Sequence, residues 1–99
     1  MTIENKQDVL NILRDHKADI EALGIKSVAL FGSFANGEPS VDSDVDLLVE
    51  FEKGKKTFRA FMKFADFAER ILERQVDVLT PESLSPHIGP HIQNDLHYV

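Results

Sequence analysis

Residues Phe31–Phe51 read FGSFANGEPSVDSDVDLLVEF. An apolar run ends at Gly32-Ser33, a loop rich in Gly, Asn, Pro and Ser follows, and Asp44 and Asp46 stand at the mouth of a second apolar run. The β-branched and apolar "SVALFG" predicts a buried strand over Val28 to Phe31 that stops at the glycine. "DVDLLVEF" predicts a second strand from about Val45 to Phe51, and the segment between reads as a loop with room for one helical turn at its start.

Working outward, Val9, Leu10, Leu13, Ile20 and Leu23 recur at helical spacing, with Thr2 placed as N-cap and Gly24 as C-cap, which predicts one amphipathic helix. After the second strand, "EKGKK" makes a turn and Thr57 caps a helix running to about Arg74. Phe58, Phe61, Met62, Phe64, Ala65, Phe67, Ala68, Ile71 and Leu72 cover well over half of its circumference, wider than the stripe of roughly 100° on an ordinary surface helix. Phe64, Phe67 and Ile71 therefore face either the core or a partner. "QVDVLT" predicts a third short strand ended by Thr80-Pro81, and the tail, broken by Pro86, Gly89 and Pro90, predicts a short final helix with an irregular entry. The order α-β-β-α-β-α predicts an α/β (α+β) fold with a small mixed β-sheet flanked by helices, in a single domain over residues 1–99.

Composition bounds the chemistry. The 99 residues are 42% hydrophobic and 28% charged, as in ordinary globular domains. The 17 acidic and 11 basic residues give a net charge of −6, which argues against a broad grip on nucleic acid but leaves room for a small anion held locally. Cysteine is absent, which excludes disulfides and thiolate metal sites. The polar start carries no secretion signal and no apolar run approaches the ~18 residues of a membrane span, so the expected location is cytoplasmic.

Asp44 and Asp46, two positions apart on a strand, point the same way. Paired carboxylates repel, and a cation is the usual reason for placing them together. Asp77, inside an otherwise apolar strand, is expected to face the same cation or to cap the sheet edge. Three carboxylates suit Mg²⁺ better than zinc. At the end of the first strand, Gly32 lets backbone N–H groups approach an anion and Ser33 adds a hydroxyl donor without bulk. An anion cradle facing an acid cluster suits a nucleoside triphosphate held with magnesium for in-line displacement at phosphorus.

Ten residues separate Ser33 from Asp44, giving Gly-Ser, ten residues, Asp-X-Asp. With "GSFANGE", "DSDVDLLVEFE" and "VDVLTPESLSP" in this order, the chain resembles the minimal nucleotidyltransferase (MNT) branch of the DNA polymerase β-like nucleotidyltransferase superfamily over nearly its whole length. The resemblance implies that Asp44, Asp46 and Asp77 are catalytic and bind two Mg²⁺ ions, with Asp77 helping to activate the incoming hydroxyl, and that Gly32 and Ser33 hold the triphosphate of ATP. It also implies a partner: a HEPN-domain toxin, all-helical and ribonucleolytic, commonly encoded beside an MNT protein. The chain would then be the antitoxin of a type VII-like toxin-antitoxin pair, transferring AMP from ATP onto a tyrosine of the toxin. One departure stands out. Many members carry arginine where this chain has Asn36; Lys53, Lys55 and Lys56 read most simply as a solvated turn, with compensation for the missing positive charge as the alternative.

Competing motifs fail on particular residues. A P-loop would need lysine and Ser/Thr where Glu38 and Pro39 stand. An EF-hand would need glycine at Leu47 and glutamate at Lys53. His87 and His91 are four apart, but Gly89-Pro90 spoils a common helical face, so they read as solvent-exposed or capping. Two other functions compete with adenylyl transfer: a binding module that neutralises its partner by contact, and nucleotidyl transfer to a small molecule.

Overall fold

The computed structural model describes residues 5–32, 44–81 and 96–99. Among the described residues seven elements follow one another: α1 (Lys6–Asp15), α2 (Lys17–Ala22), β1 (Ile25–Phe31), β2 (Val45–Phe51), α3 (Phe58–Leu72), β3 (Val76–Leu79) and β4 (His97–Tyr98). The strands form one mixed sheet in the order β3-β2-β1-β4, with β2 and β3 parallel and the other two pairs antiparallel.

Alternation along the strands separates two faces. Val45, Leu47 and Val49 of β2 and Val28 and Leu30 of β1 join the core with Val9 and Leu13 of α1, Ile20 of α2, and Phe64, Ala68 and Leu72 of α3. The helices therefore cover one face. The other face of β2 carries Asp46, Leu48 and Glu50, and its centre is sealed by Leu48 and its register partner Ala29, both buried. No described helix is long and apolar enough to cross a membrane.

The second strand and the Thr57 cap stand as the sequence predicts: the Thr57 hydroxyl accepts from the Ala60 N–H at 3.0 Å. The N-terminal helix is two helices rather than one. His16 leaves helical geometry at φ −107° and ψ 17°, its Nδ1 lies 2.9 Å from the Ile12 carbonyl, and its own N–H turns to Leu13 O at 3.2 Å. A side chain competing for the i−4 carbonyl breaks the ladder. Asn5 caps α1, accepting from Asp8 N–H at 3.0 Å; Thr2 lies outside the described residues. Gly24, at φ +87°, closes α2 as expected.

β1 begins at Ile25, three residues earlier than the apolar run indicates, because Ile25 and half-buried Ser27 still pair with Phe51 and Glu50 around a bulge at exposed Lys26. Helix α3 ends at Leu72, where Glu73 takes the left-handed conformation. The expected final helix lies mostly outside the described residues, and the described tail pairs with β1 as β4: Tyr98 opposes Ala29 and His97 opposes Leu30.

Phe64, Phe67 and Ile71 turn inward. Phe64 is fully buried, and Phe67 and Ile71 pack against the core from its margin. Phe67 meets the His16 ring edge-on at 5.7 Å and carries the Arg70 guanidinium 5.8 Å from its centroid. The exposed apolar residues of α3 are instead Phe58 and Met62, at 83% and 41% exposure.

Candidate active site

The sheet places the acids. In the parallel pairing of β2 with β3, Val45 opposes Val76 and Asp46 opposes Asp77. Because side chains alternate, the valines enter the core while Asp46 and Asp77 emerge together on the face opposite the described helices. Asp44 stands just before β2, half-buried and on the same side as Asp46. The antiparallel pairing with β1 sets Phe31 opposite Asp46, so Gly32 follows immediately beside the carboxylate.

The pair is electrostatically loaded. Burial pushes the Asp46 carboxyl up from 3.8 to about 6, helped by the negative charges of Asp77 and Asp44 and by a side-chain hydrogen bond with Asp77. Repulsion among like charges in partial burial is what a bound cation would relieve. Among the described residues no group of three or more His, Asp or Glu side chains is already arranged to hold a metal ion. The donor chemistry nevertheless fits Mg²⁺: carboxylate oxygens only, two of them in register and a third acting on the same group through charge.

Of the two placements expected for Asp77, the sheet edge is met: it is exposed on an edge strand, so desolvation alone does not demand a counter-ion. Its proximity to Asp46 is the informative feature.

Gly32 has no room for a side chain. At φ +80° its position would drive a Cβ into the Asp46 carboxylate, 2.9 Å from Cγ and 3.2 Å from Cβ. The backbone thus passes directly over the acid, where only glycine fits. Ser33 and Asn36 lie outside the described residues.

Two further findings concern residues around this site. Glu69, which sequence patterning did not single out, reaches from the penultimate turn of α3 to accept a hydrogen bond from the Val76 N–H at 3.1 Å. Together with Val45 N–H donating to Gln75 O at 2.9 Å, it fixes the start of β3, one residue before Asp77. Lys53, Lys55 and Lys56 do not stand in for an arginine at the site. They follow the far end of β2, five residues beyond Asp46 or about 17 Å along the strand, and Lys56 Nζ reaches Thr80 Oγ1 at 3.4 Å past the end of β3.

Glycine apposed to a carboxylate, with two acids in register at the mouth of a β-sheet, is accompanied by a sequence match. The nucleotidyltransferase domain family matches residues 9–99. The chain belongs to that family.

Protein adenylyltransferase MntA of Thermococcus cleftensis is 31% identical to this nucleotidyltransferase over 100 residues, covering 100% of both chains. A solved structure named "putative minimal nucleotidyltransferase" superposes with a TM-score of 0.83 at 26% identity, covering 98% of each chain. A complex of tri-AMPylated Shewanella oneidensis HEPN toxin with MNT antitoxin shares the fold, with a TM-score of 0.57 at 19% identity over 95% of this chain and 67% of the other.

Proposed function

We propose that this nucleotidyltransferase is a protein adenylyltransferase that uses ATP and Mg²⁺ to transfer AMP onto a tyrosine of a HEPN-type toxin, and so acts as its antitoxin. The observation that carries the reading is the Asp46–Asp77 register pair beside Gly32. The full-length relative named as a protein adenylyltransferase supports the choice of reaction, and the AMPylated toxin complex supports the choice of acceptor.

In this reading Asp44, Asp46 and Asp77 would hold the magnesium ions, which when bound would supply positive charge to the triphosphate and the acceptor hydroxyl. Gly32 and Ser33 would hold the triphosphate, and the missing Cβ at Gly32 leaves the Asp46 carboxylate its place beside the chain. The tyrosine oxygen bonds to the α-phosphorus as the bridging P–O bond to pyrophosphate breaks, pyrophosphate leaves, and the phenolic proton passes to solvent. Asp77, on the open edge strand, is the acid best placed toward an incoming acceptor; Asp46, deeper in the sheet, is best placed toward the nucleotide.

Intact-mass spectrometry of the protein encoded beside this chain, after incubation with it, ATP and Mg²⁺, tests the reading. The expected result is a mass gain in whole AMP units that disappears in Asp46→Asn. An unchanged mass with a stable complex still formed would instead establish neutralisation by contact, a reading favoured by the exposed apolar pair on α3.

A further inference from the structure

Between Lys53 and Ala65 the chain carries five of its eleven basic residues, Lys53, Lys55, Lys56, Arg59 and Lys63, and no acid. All five are exposed, and Lys53, Lys55, Arg59 and Lys63 make no ion pair with another described residue. Outside this segment the chain has six basic and seventeen acidic residues. The positive charge is therefore gathered at one pole, and it is the pole opposite the catalytic acids, where β2 ends and α3 begins.

Helical geometry arranges this pole as a docking surface. Residues four apart lie on one line of a helix, so Phe58 and Met62 form one row and Arg59 and Lys63 the adjacent row. On the far side of the Arg59–Lys63 ridge lies a surface cavity of about 240 Å³ between α2 and α3, lined by Ala22, Leu23, Thr57 and Ala60 together with the two cations. Phe58, at 83% exposure, is an aromatic anchor with nothing described covering it. The first turn of α3 contains no acid, so its positive dipole end has no internal counter-charge.

We propose that this pole docks an acidic segment of a protein partner, with apolar residues of that segment seated on Phe58 and Met62 and its carboxylates on Arg59 and Lys63. Charge complementarity selects the occupant. A short acidic segment meets the local cations alone, whereas an extended nucleic-acid backbone would also meet the excess acid elsewhere on the chain. A partner held here leaves the Asp46–Asp77 face clear for an acceptor tyrosine. In naming the antitoxin's partner as occupant, the inference rests on the adenylyltransferase reading.

Two measurements test it. The first is fluorescence anisotropy of a labelled synthetic amphipathic peptide, glutamates on one face and leucine and phenylalanine on the other, against this chain. The second is hydrogen exchange of this chain with and without the protein encoded beside it. Expected are peptide binding that weakens with salt and protection of residues 53–63 in the complex. Both should be lost in Phe58→Glu and in Arg59→Glu/Lys63→Glu, each by about 30-fold or more in affinity, as for an interface anchor. Phe58 is exposed at the helix start, where glutamate is favourable, so the variant folds. A complex protected elsewhere and unaffected by these substitutions overturns the docking site but not the adenylyltransferase reading. Peptide binding without any complex keeps the site and removes the neighbouring protein as its occupant. Absence of both, or labelled single-stranded RNA binding that Arg59→Glu/Lys63→Glu abolishes while peptide does not bind, overturns the proposal.

Discussion

Asp46 and Asp77 are register partners across the parallel pair of β2 and β3, and burial of Asp46, reinforced by their mutual repulsion, holds its carboxyl at about 6 rather than 3.8. The folded state thus keeps a proton that the unfolded chain releases near pH 4. Stability is unaffected below that point, falls as pH rises from about 4 to about 6, and stays reduced above.

Asp46→Asn removes this penalty, so the variant should be more stable than the parent at neutral pH while losing transferase activity. A shift of about two units corresponds to at most about 3 kcal/mol, and solvent screening of this partly exposed group reduces it to about 1–2 kcal/mol. Urea denaturation of both proteins across pH checks the sign: the gap should open between about pH 4 and 6. Mg²⁺ added at neutral pH should narrow it by stabilising only the parent.

Gly32→Ala should be costly in two ways. Alanine at φ +80° is strained by about 1–3 kcal/mol, and its Cβ would displace the Asp46 carboxylate. A displacement of that kind costs about 100-fold in turnover even where folding survives. Thermal denaturation and the AMP-transfer assay read the two effects separately; full activity in the alanine variant would show that the close approach is not used.

Which parts of this were legible in the sequence follows from the range of the interactions involved. Gly32, Asp44 and Asp46 stand out because a strand end and a strand start announce themselves locally, and so does the Thr57 cap. By local pattern Asp77 is only an acid among valines; its place beside Asp44 and Asp46 was implied by the family resemblance. That it pairs with Asp46 depends on β3 docking parallel to β2, a long-range choice no local pattern encodes. The break at His16 arises from one side chain competing for the Ile12 carbonyl within a continuous apolar periodicity. β4 is two residues long, too short for alternation to register. The wide apolar surface of α3 was evident, but which part stays uncovered was not: Phe64 and Phe67 join the core, Phe67 against the His16 ring, and Phe58 stays outside.

That division of α3 predicts opposite outcomes for two phenylalanines in one helix. Phe64 is fully buried at the centre of the core, so Phe64→Ala should cost about 3–5 kcal/mol, a large part of the stability available to so small a domain. Phe58→Ser should change stability by no more than about 0.5 kcal/mol, as for an exposed site. Circular dichroism melts of the two variants decide the matter.

Glu69 makes a prediction about positioning. Its carboxylate accepts from the Val76 N–H and so anchors the first residue of β3, immediately before Asp77. Glu69→Ala removes a charge-assisted hydrogen bond of about 1.5–3 kcal/mol and frees the strand start, which should lower kcat for AMP transfer about 10-fold or more with KM for ATP nearly unchanged, since the proposed site would hold the nucleotide from the β1–β2 side. Glu69→Gln retains an acceptor oxygen of the same reach and should recover most of kcat. Steady-state kinetics of both variants separate this role from a general loss of folding, which glutamine would not rescue selectively and which would lower the fraction of active enzyme without splitting kcat from KM between the two substitutions.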